Sequence, residues 1–549
     1  MKTRWILLLF TISLLTQKCA KQTAPTGGPK DENPPVLVRS NPKHKEVNFN
    51  GSQLNLVFNE LVQLNNPREK IIITPGIGKK FEVVANKNKV TLSFNSELKN
   101  NTTYTINFRE SIQDITEKNP ASVKLAFSTG SYIDSLAING TVRDILTSKN
   151  ATNYTVALIE ASDTFNIFKH SGMWVTQADK KGRFSIENLK PGDYFLYAFD
   201  DRNKNLIVDS KSEKFGFIKE NINLTGGIDS LKIDVFKLDM SALKLLSARQ
   251  TFAYFNLRFS KSLVNYNLAS TDKSITILST LEPDLTTLKI YNTIPDRDSL
   301  AVHLQAQDSL DQKIDTLVYI KFPKKESTKD NFALKFENAD IFESKSLFTA
   351  NISFSKPVAQ FNPDSILLQI DSVTTLPLTN NDASWNQNLT RLTLSRKIEL
   401  KKETSTKPTP VKKKQEKIKL LLRKGAFISI ENDSLKTSEN QVKIIKPEDF
   451  GLIITKVETN EDFTLQLLDK SGKIIQQAHN IKNYIFENVP PGNYQLRILI
   501  DPNKNQKWDP GNYFQKRLAE PVIYYTNPKA GKDIFLKANW QVGDLLISY

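Results

Sequence analysis

The residues best suited to chemistry are oxygen-bearing side chains at alternate positions of a short polar stretch: Asp201, Asn203 and Asn205, with Asp209 following. Alternating carboxylates and amides on a tight loop can converge on a hard cation, and calcium takes about six to eight oxygen ligands. The same spacing recurs near the end of the chain as Asp501, Asn503, Asn505 and Asp509. These residue types also permit a second reading, an Asx-rich turn whose side-chain oxygens accept hydrogen bonds from their own backbone. Covalent and acid–base chemistry has less to work with. His44, His170, His303 and His479 are scattered without metal-ligand spacing. There is no Gly-x-Ser-x-Gly elbow or phosphate-cradling glycine loop, and Cys19 is the only cysteine. The expectation is a chain that is not an enzyme, with calcium as its one candidate cofactor.

The loop spacing resembles positions one, three, five and nine of an EF-hand. It departs at position six, where Leu206 and Gln506 stand in place of glycine. It departs again at position twelve, where Ser212 and Asn512 replace the bidentate glutamate and Glu213 lies one residue further on. A bound ion would therefore meet fewer charges and be held less tightly.

The elements that position these loops are themselves duplicated. Glu187-Asn188-Leu189-Lys190-Pro191-Gly192-Asp193-Tyr194 matches Glu487-Asn488-Val489-Pro490-Pro491-Gly492-Asn493-Tyr494 at the offset that relates the loops, so one domain type occurs twice. Pro-Gly makes a tight turn, and the tyrosine beyond it is placed to plug one end of a sandwich. With Ile138-Asn139-Gly140-Thr141-Val142 as opening strand, this pattern resembles the small prealbumin-like sandwich of carboxypeptidase-regulatory and collagen-adhesin stalk domains. Elsewhere the signal is period-2 alternation, which marks strands with one buried face. It runs through Asn55–Glu60, Asn256–Lys261 and Asn351–Lys356, each followed by a further apolar strand, at Lys70–Ile73, Ser274–Ile277 and Ser365–Leu368. Val90–Phe94 and Thr103–Phe108 continue the first copy, and short strands at regular spacing indicate a sandwich.

Delivery is written at the start. Met1–Arg4 is basic, Trp5–Leu15 is an apolar run too short to span a bilayer, and Cys19 follows. This resembles a bacterial lipoprotein signal with Cys19 as the acylated residue, although Gln17-Lys18 precede the cysteine where that family prefers a small residue. The Gly- and Pro-punctuated stretch after it reads as a flexible tether. Its Pro-Thr-Gly-Gly-Pro-Lys-Asp and Pro-Pro elements resemble the start of Bacteroidota lipoproteins bearing an S-layer-type bacterial Ig-like domain. The resemblance implies anchoring at the outer membrane. Ala20-Lys21-Gln22 lack an acidic pair, so the periplasmic and surface faces stay open.

The expected fold class is all-β, a tandem array of small sandwiches. The expected divisions are a signal at 1–19, a tether at 20–32, an Ig-like domain at 33–130 and a prealbumin-like sandwich at 131–240. Ig-like domains follow at 241–325 and 326–447, and a second prealbumin-like sandwich at 448–549. Residues 401–417 are Lys-rich without apolar period and read as a disordered hairpin insertion. The net charge of +16 is spread along the chain, which suits strand-edge protection and argues against a nucleic-acid face. Asp followed by Ser or Thr and an aliphatic residue recurs, as at Asp308-Ser309-Leu310 and Asp433-Ser434-Leu435, and resembles the O-glycosylation acceptor of exported Bacteroidota proteins. The same triplet makes a good turn into an apolar strand. The expected partners are the membrane, through acyl chains on Cys19, and an envelope protein or glycan. The expected role is scaffold or binding module, or accessory subunit of an outer-membrane uptake, secretion or assembly complex.

Overall fold

The computed structural model describes residues 31–549 apart from 79, 163, 293–298, 323–327, 372 and 399–416. Cys19, the signal segment and nearly all of the tether and the 401–417 insertion lie outside the described residues.

The chain is all-β, as the alternation predicts. The first unit opposes the sheet Leu37–Asn41, Gln53–Phe58, Lys89–Phe94, Phe81–Asn86 to the sheet Ile72–Thr74, Thr103–Asn107, Lys124–Ser128. In Gln53–Phe58, Leu54, Leu56 and Phe58 point inward, where they meet Val90, Leu92, Ile106 and Phe127. The third unit repeats the scheme with Tyr254–Phe259 and the three-stranded sheet Asn265–Ser270, Leu300–Gln307, Lys313–Ile320. The fourth repeats it with Leu347–Phe354 and the sheet Thr375–Pro377, Ile366–Gln369, Lys419–Leu422, Ser438–Gln441.

Two local expectations are corrected. Ser274–Ile277 is not a strand; the neighbouring Ser279–Leu281 takes that place beside Thr287–Ile290. The strands flanking the Lys-rich insertion do not form a hairpin. Arg391–Lys397 pairs with Leu347–Phe354, whereas Lys419–Leu422 pairs with Ile366–Gln369, so the insertion joins two different sheets.

The duplicated units share one topology. Leu136–Asp144 runs antiparallel to Arg183–Leu189 and parallel to Ile228–Lys237; Gly451–Glu458 does the same between Asn483–Val489 and Gln541–Ser548. Gly140 is required where the parallel neighbour closes in, because a Cβ there would stand 2.4 Å from the Leu231 carbonyl. Tyr194 and Tyr494 are buried after their turns, and their hydroxyls donate back to the carbonyls of Lys190 (2.9 Å) and Pro490 (2.6 Å).

The third and fourth units carry one further shared device. The lysine that ends each Phe-Ser-Lys motif folds inward and meets the aspartate of an Asp-Ser-Leu triplet. Lys261 pairs with Asp308, and Lys356 pairs with Asp433 at 2.5 Å and Glu431 at 2.6 Å. The aspartates are turn-formers too: Asp308 accepts from the amides of Leu310 and Gln312. Tyr254 of the third unit donates its hydroxyl to Glu431, which ties the two units together.

Candidate functional site

Each candidate loop links the strand after the Pro-Gly turn to the next strand of the same sheet. The first joins Gly192–Phe199 to Lys214–Phe217, the second Gly492–Ile500 to Val522–Tyr524. In the first, the Asn205 amide donates to Asp201 Oδ1 and Asn203 Oδ1, both at 3.1 Å, and the Ile207 amide donates to Asn205 Oδ1 at 2.8 Å. In the second, the Asn505 amide donates to Asp501 Oδ1 at 3.1 Å and to Asn503 Oδ1 at 3.2 Å. The side chains of Asn503 and Asn505 both donate to Asp509 Oδ2. Position six is left-handed in both copies, with φ of 62° at Leu206 and 60° at Gln506, the conformation glycine adopts without penalty.

Sequence reasoning missed what fills the loops. Glu213 is fully buried and accepts from the amides of Arg202 (3.0 Å) and Asp209 (2.8 Å). Glu520 does the equivalent in the second copy, accepting the Asp509 amide at 2.8 Å. Backbone N–H groups thus donate to a buried carboxylate in each loop. Glu213 is visible in the sequence as the residue just past the EF-hand's twelfth position. Glu520 sits at a different distance and carries no such signal. Among the described residues no group of three or more His, Cys, Asp or Glu is placed to hold a metal ion.

The electrostatics follow from burial. Desolvation raises the carboxyl of Asp201 and of Glu213, and in Glu213 the nearby Asp201 and Asp209 add to the rise. Burial, with Asp509 and Asp501 close by, pushes Glu520 up to about 7. Asp209 is held below the usual range, chiefly by the Ser212 hydroxyl and the Lys211 amide.

Position eight of each loop lies where the two duplicated units meet. Val208 and Trp508 both enter one apolar cluster shared by the second and fifth units. Tyr197, Phe199, Phe215 and Phe236 come from the second unit, and Leu499, Val522 and Tyr513 from the fifth, with Leu310 of the third at the margin. Phe168 meets Tyr513 edge to face at 5.2 Å between centroids, and Phe236 meets Trp508 at 6.2 Å. At the rim, the Leu146 carbonyl accepts from Arg497 Nη1 (2.8 Å) and the Tyr524 hydroxyl (2.6 Å), and Lys532 Nζ reaches the Ser148 carbonyl at 3.2 Å. The strand Gly192–Phe199 is therefore covered on both faces: Tyr194, Leu196 and Ala198 inside their own sandwich, Tyr197 and Phe199 in the seam.

The search of curated proteins gave no match. Among solved structures, the major pilin subunit of Bacillus cereus aligns at 11% identity over 75% of this chain and 98% of its own, with a TM-score of 0.14. The S-layer protein SbsC aligns at 10% identity over 92% of this chain and 67% of its own, with a TM-score of 0.16. The Bacillus anthracis TIE protein aligns at 9% identity over 95% of this chain and 76% of its own, with a TM-score of 0.13. Scores this low carry no argument. The firm result is local: residues 31–129, the first sandwich, match the family model of the bacterial Ig-like domain.

Proposed function

We propose that this chain is a non-catalytic envelope protein, held at the outer membrane by acyl chains on Cys19, whose sandwiches form a stiff scaffold that binds another envelope protein or a glycan. The observation that carries this reading is the seam. An array in which the second and fifth units share apolar residues presents its other surfaces in a fixed arrangement, which suits a scaffold better than a flexible row of spacers. The titratable groups with shifted pKa values around the loops accept backbone amides and are thereby committed to structure. The test is metabolic labelling with palmitate followed by mild detergent extraction and pull-down. Label lost in Cys19→Ala, with a protein or glycan recovered on the wild-type chain, supports the reading; an unlabelled chain in the aqueous phase contradicts it.

One observation favours the narrower role of accessory subunit in an outer-membrane complex. On the fifth unit, Phe535 (56% exposed) and Trp540 (48% exposed) flank Lys537, whose ammonium lies 4.5 Å from the Trp540 ring. Exposed aromatics grouped with a cation are the composition of a protein-binding hot spot. A stoichiometric complex that survives detergent and is lost in Trp540→Ala supports this narrower role.

A further inference from the structure

A cleft of about 550 Å³ lies where the first unit meets the second. Its walls are the strands Ile72–Thr74 and Thr103–Asn107 on one side and Trp174–Gln177 and Arg183–Leu189 on the other. Polar ties hold the walls at a fixed separation. The Gly76 amide donates to the Met173 carbonyl, Asn188 Nδ2 donates to Thr105 Oγ1 at 2.7 Å, and Lys124 pairs with Glu187 at 2.7 Å.

The cleft contains a cation, Arg109, without a direct ion-pair partner among the described residues, although the Glu110 carboxylate also lines the cleft and lies close enough to favour the charge. Arg109 is half-buried, and among the described residues its guanidinium has neither hydrogen bond nor ion pair. Its backbone is held in the left-handed region, φ 47°, with its amide donating to Asn107 Oδ1 at 3.0 Å. Burial pushes its pKa down to about 10, opposed by Glu110, and the charge stays in place at neutral pH. Lys70, on the same wall, donates from its ammonium to the Glu110 carbonyl at 3.4 Å. A half-buried arginine without a partner has donors to spare, and a planar guanidinium is matched by an oxyanion that accepts two of its N–H groups. The opposite wall supplies neutral groups, Asn153, Thr176 and Gln177, beside the aliphatic Val175. Amides and hydroxyls on such a wall fit sugar hydroxyls.

We propose that this cleft binds a sugar chain bearing oxyanions, with Arg109 taking the oxyanion and the opposite wall taking the hydroxyls. This deepens the binding role given above and rests on it, but needs neither the lipid anchor nor the seam. The test is calorimetric titration of the full-length chain in detergent with tetragalacturonate, with neutral maltotetraose and with inorganic phosphate. The expected result is binding of tetragalacturonate alone, weakening as salt rises, with Arg109→Gln reducing affinity at least tenfold, Arg109→Lys restoring part of it and melting unchanged. Lys70→Gln, a surface change that leaves Arg109 in place, is expected to weaken binding several-fold. Equal binding of maltotetraose, binding of phosphate alone, no binding at millimolar ligand, or affinity indifferent to both Arg109→Gln and Lys70→Gln would overturn the proposal. None of those results touches partner capture by pull-down, so the scaffold reading stands or falls separately.

Discussion

The amine of Lys356 is 1% exposed and sits between two carboxylates. Burial alone would lower its pKa, but the bonds to Asp433 and Glu431 outweigh that and raise it, so the group is a stable ammonium in an ion pair and a poor nucleophile. Removing one member of such a pair strands the others. Lys356→Met should cost about 3–5 kcal/mol in denaturant unfolding. Lys124→Met, at a pair that is nearly half exposed on both sides, should cost at most about 1 kcal/mol. The loops give a pH dependence of defined sign. Glu520 titrates at about 7 in the fold, above the ordinary glutamate value of about 4.3. The fold therefore binds the proton more tightly than the unfolded chain, and this contribution is fully present below about 4.3 and lost as pH rises through about 7. Melting temperature should fall between pH 5 and 8, and Glu520→Gln should flatten that fall. Leu206→Gly should stabilise by up to about 1 kcal/mol, because φ of 62° penalises a side chain. Glu213 and Glu520 organise the loops through backbone amides, so a chelator should leave the melting temperature unchanged; a drop of several degrees would point to bound calcium.

Strands with one wet face are legible in this sequence because burial imposes period two. Leu347–Phe354 alternates half-buried and buried along its whole length, and the residue types alternate with it. The strand Gly192–Phe199 breaks that rule. Tyr194 to Phe199 is an unbroken apolar run, the mark of a strand covered on both sides. The equivalent strand of the fifth unit reads Gln495, Leu496, Arg497, Ile498 and Leu499, with polar residues Gln495 and Arg497 alternating with apolar ones, so the run has no match in the duplicate. The loops were legible as Asx-rich turns from Asp201, Asn203 and Asn205, but not as turns built around a carboxylate, because Glu520 is brought in from outside the motif. Ser274–Ile277 alternates like a strand and is not one, since its neighbour Ser279–Leu281 takes the pairing with Thr287–Ile290. At this scale Phe199→Ala should cost about 3–5 kcal/mol, as for any fully buried phenylalanine, although its side chain contributes nothing to its own sandwich core.

For the whole molecule, the order of sandwiches along the chain does not reveal which of them touch. The second and fifth units lie far apart in sequence and meet in one apolar cluster that holds Phe199 and Phe215 of the one and Leu499 and Val522 of the other. Leaving that much aromatic surface wet would favour aggregation, so the seam both closes the fold and fixes the geometry on which the scaffold role depends. The most direct test uses amines at its rim. Lys532 donates to the Ser148 carbonyl, and Lys149 is close enough to help lower its pKa, after burial and Arg143. A short amine-reactive cross-linker applied to monomeric protein should join Lys149 to Lys532 within one chain, and Trp508→Ala should weaken that link. A monomer that scatters as an extended rod, with cross-links only between units adjacent in sequence, would contradict it.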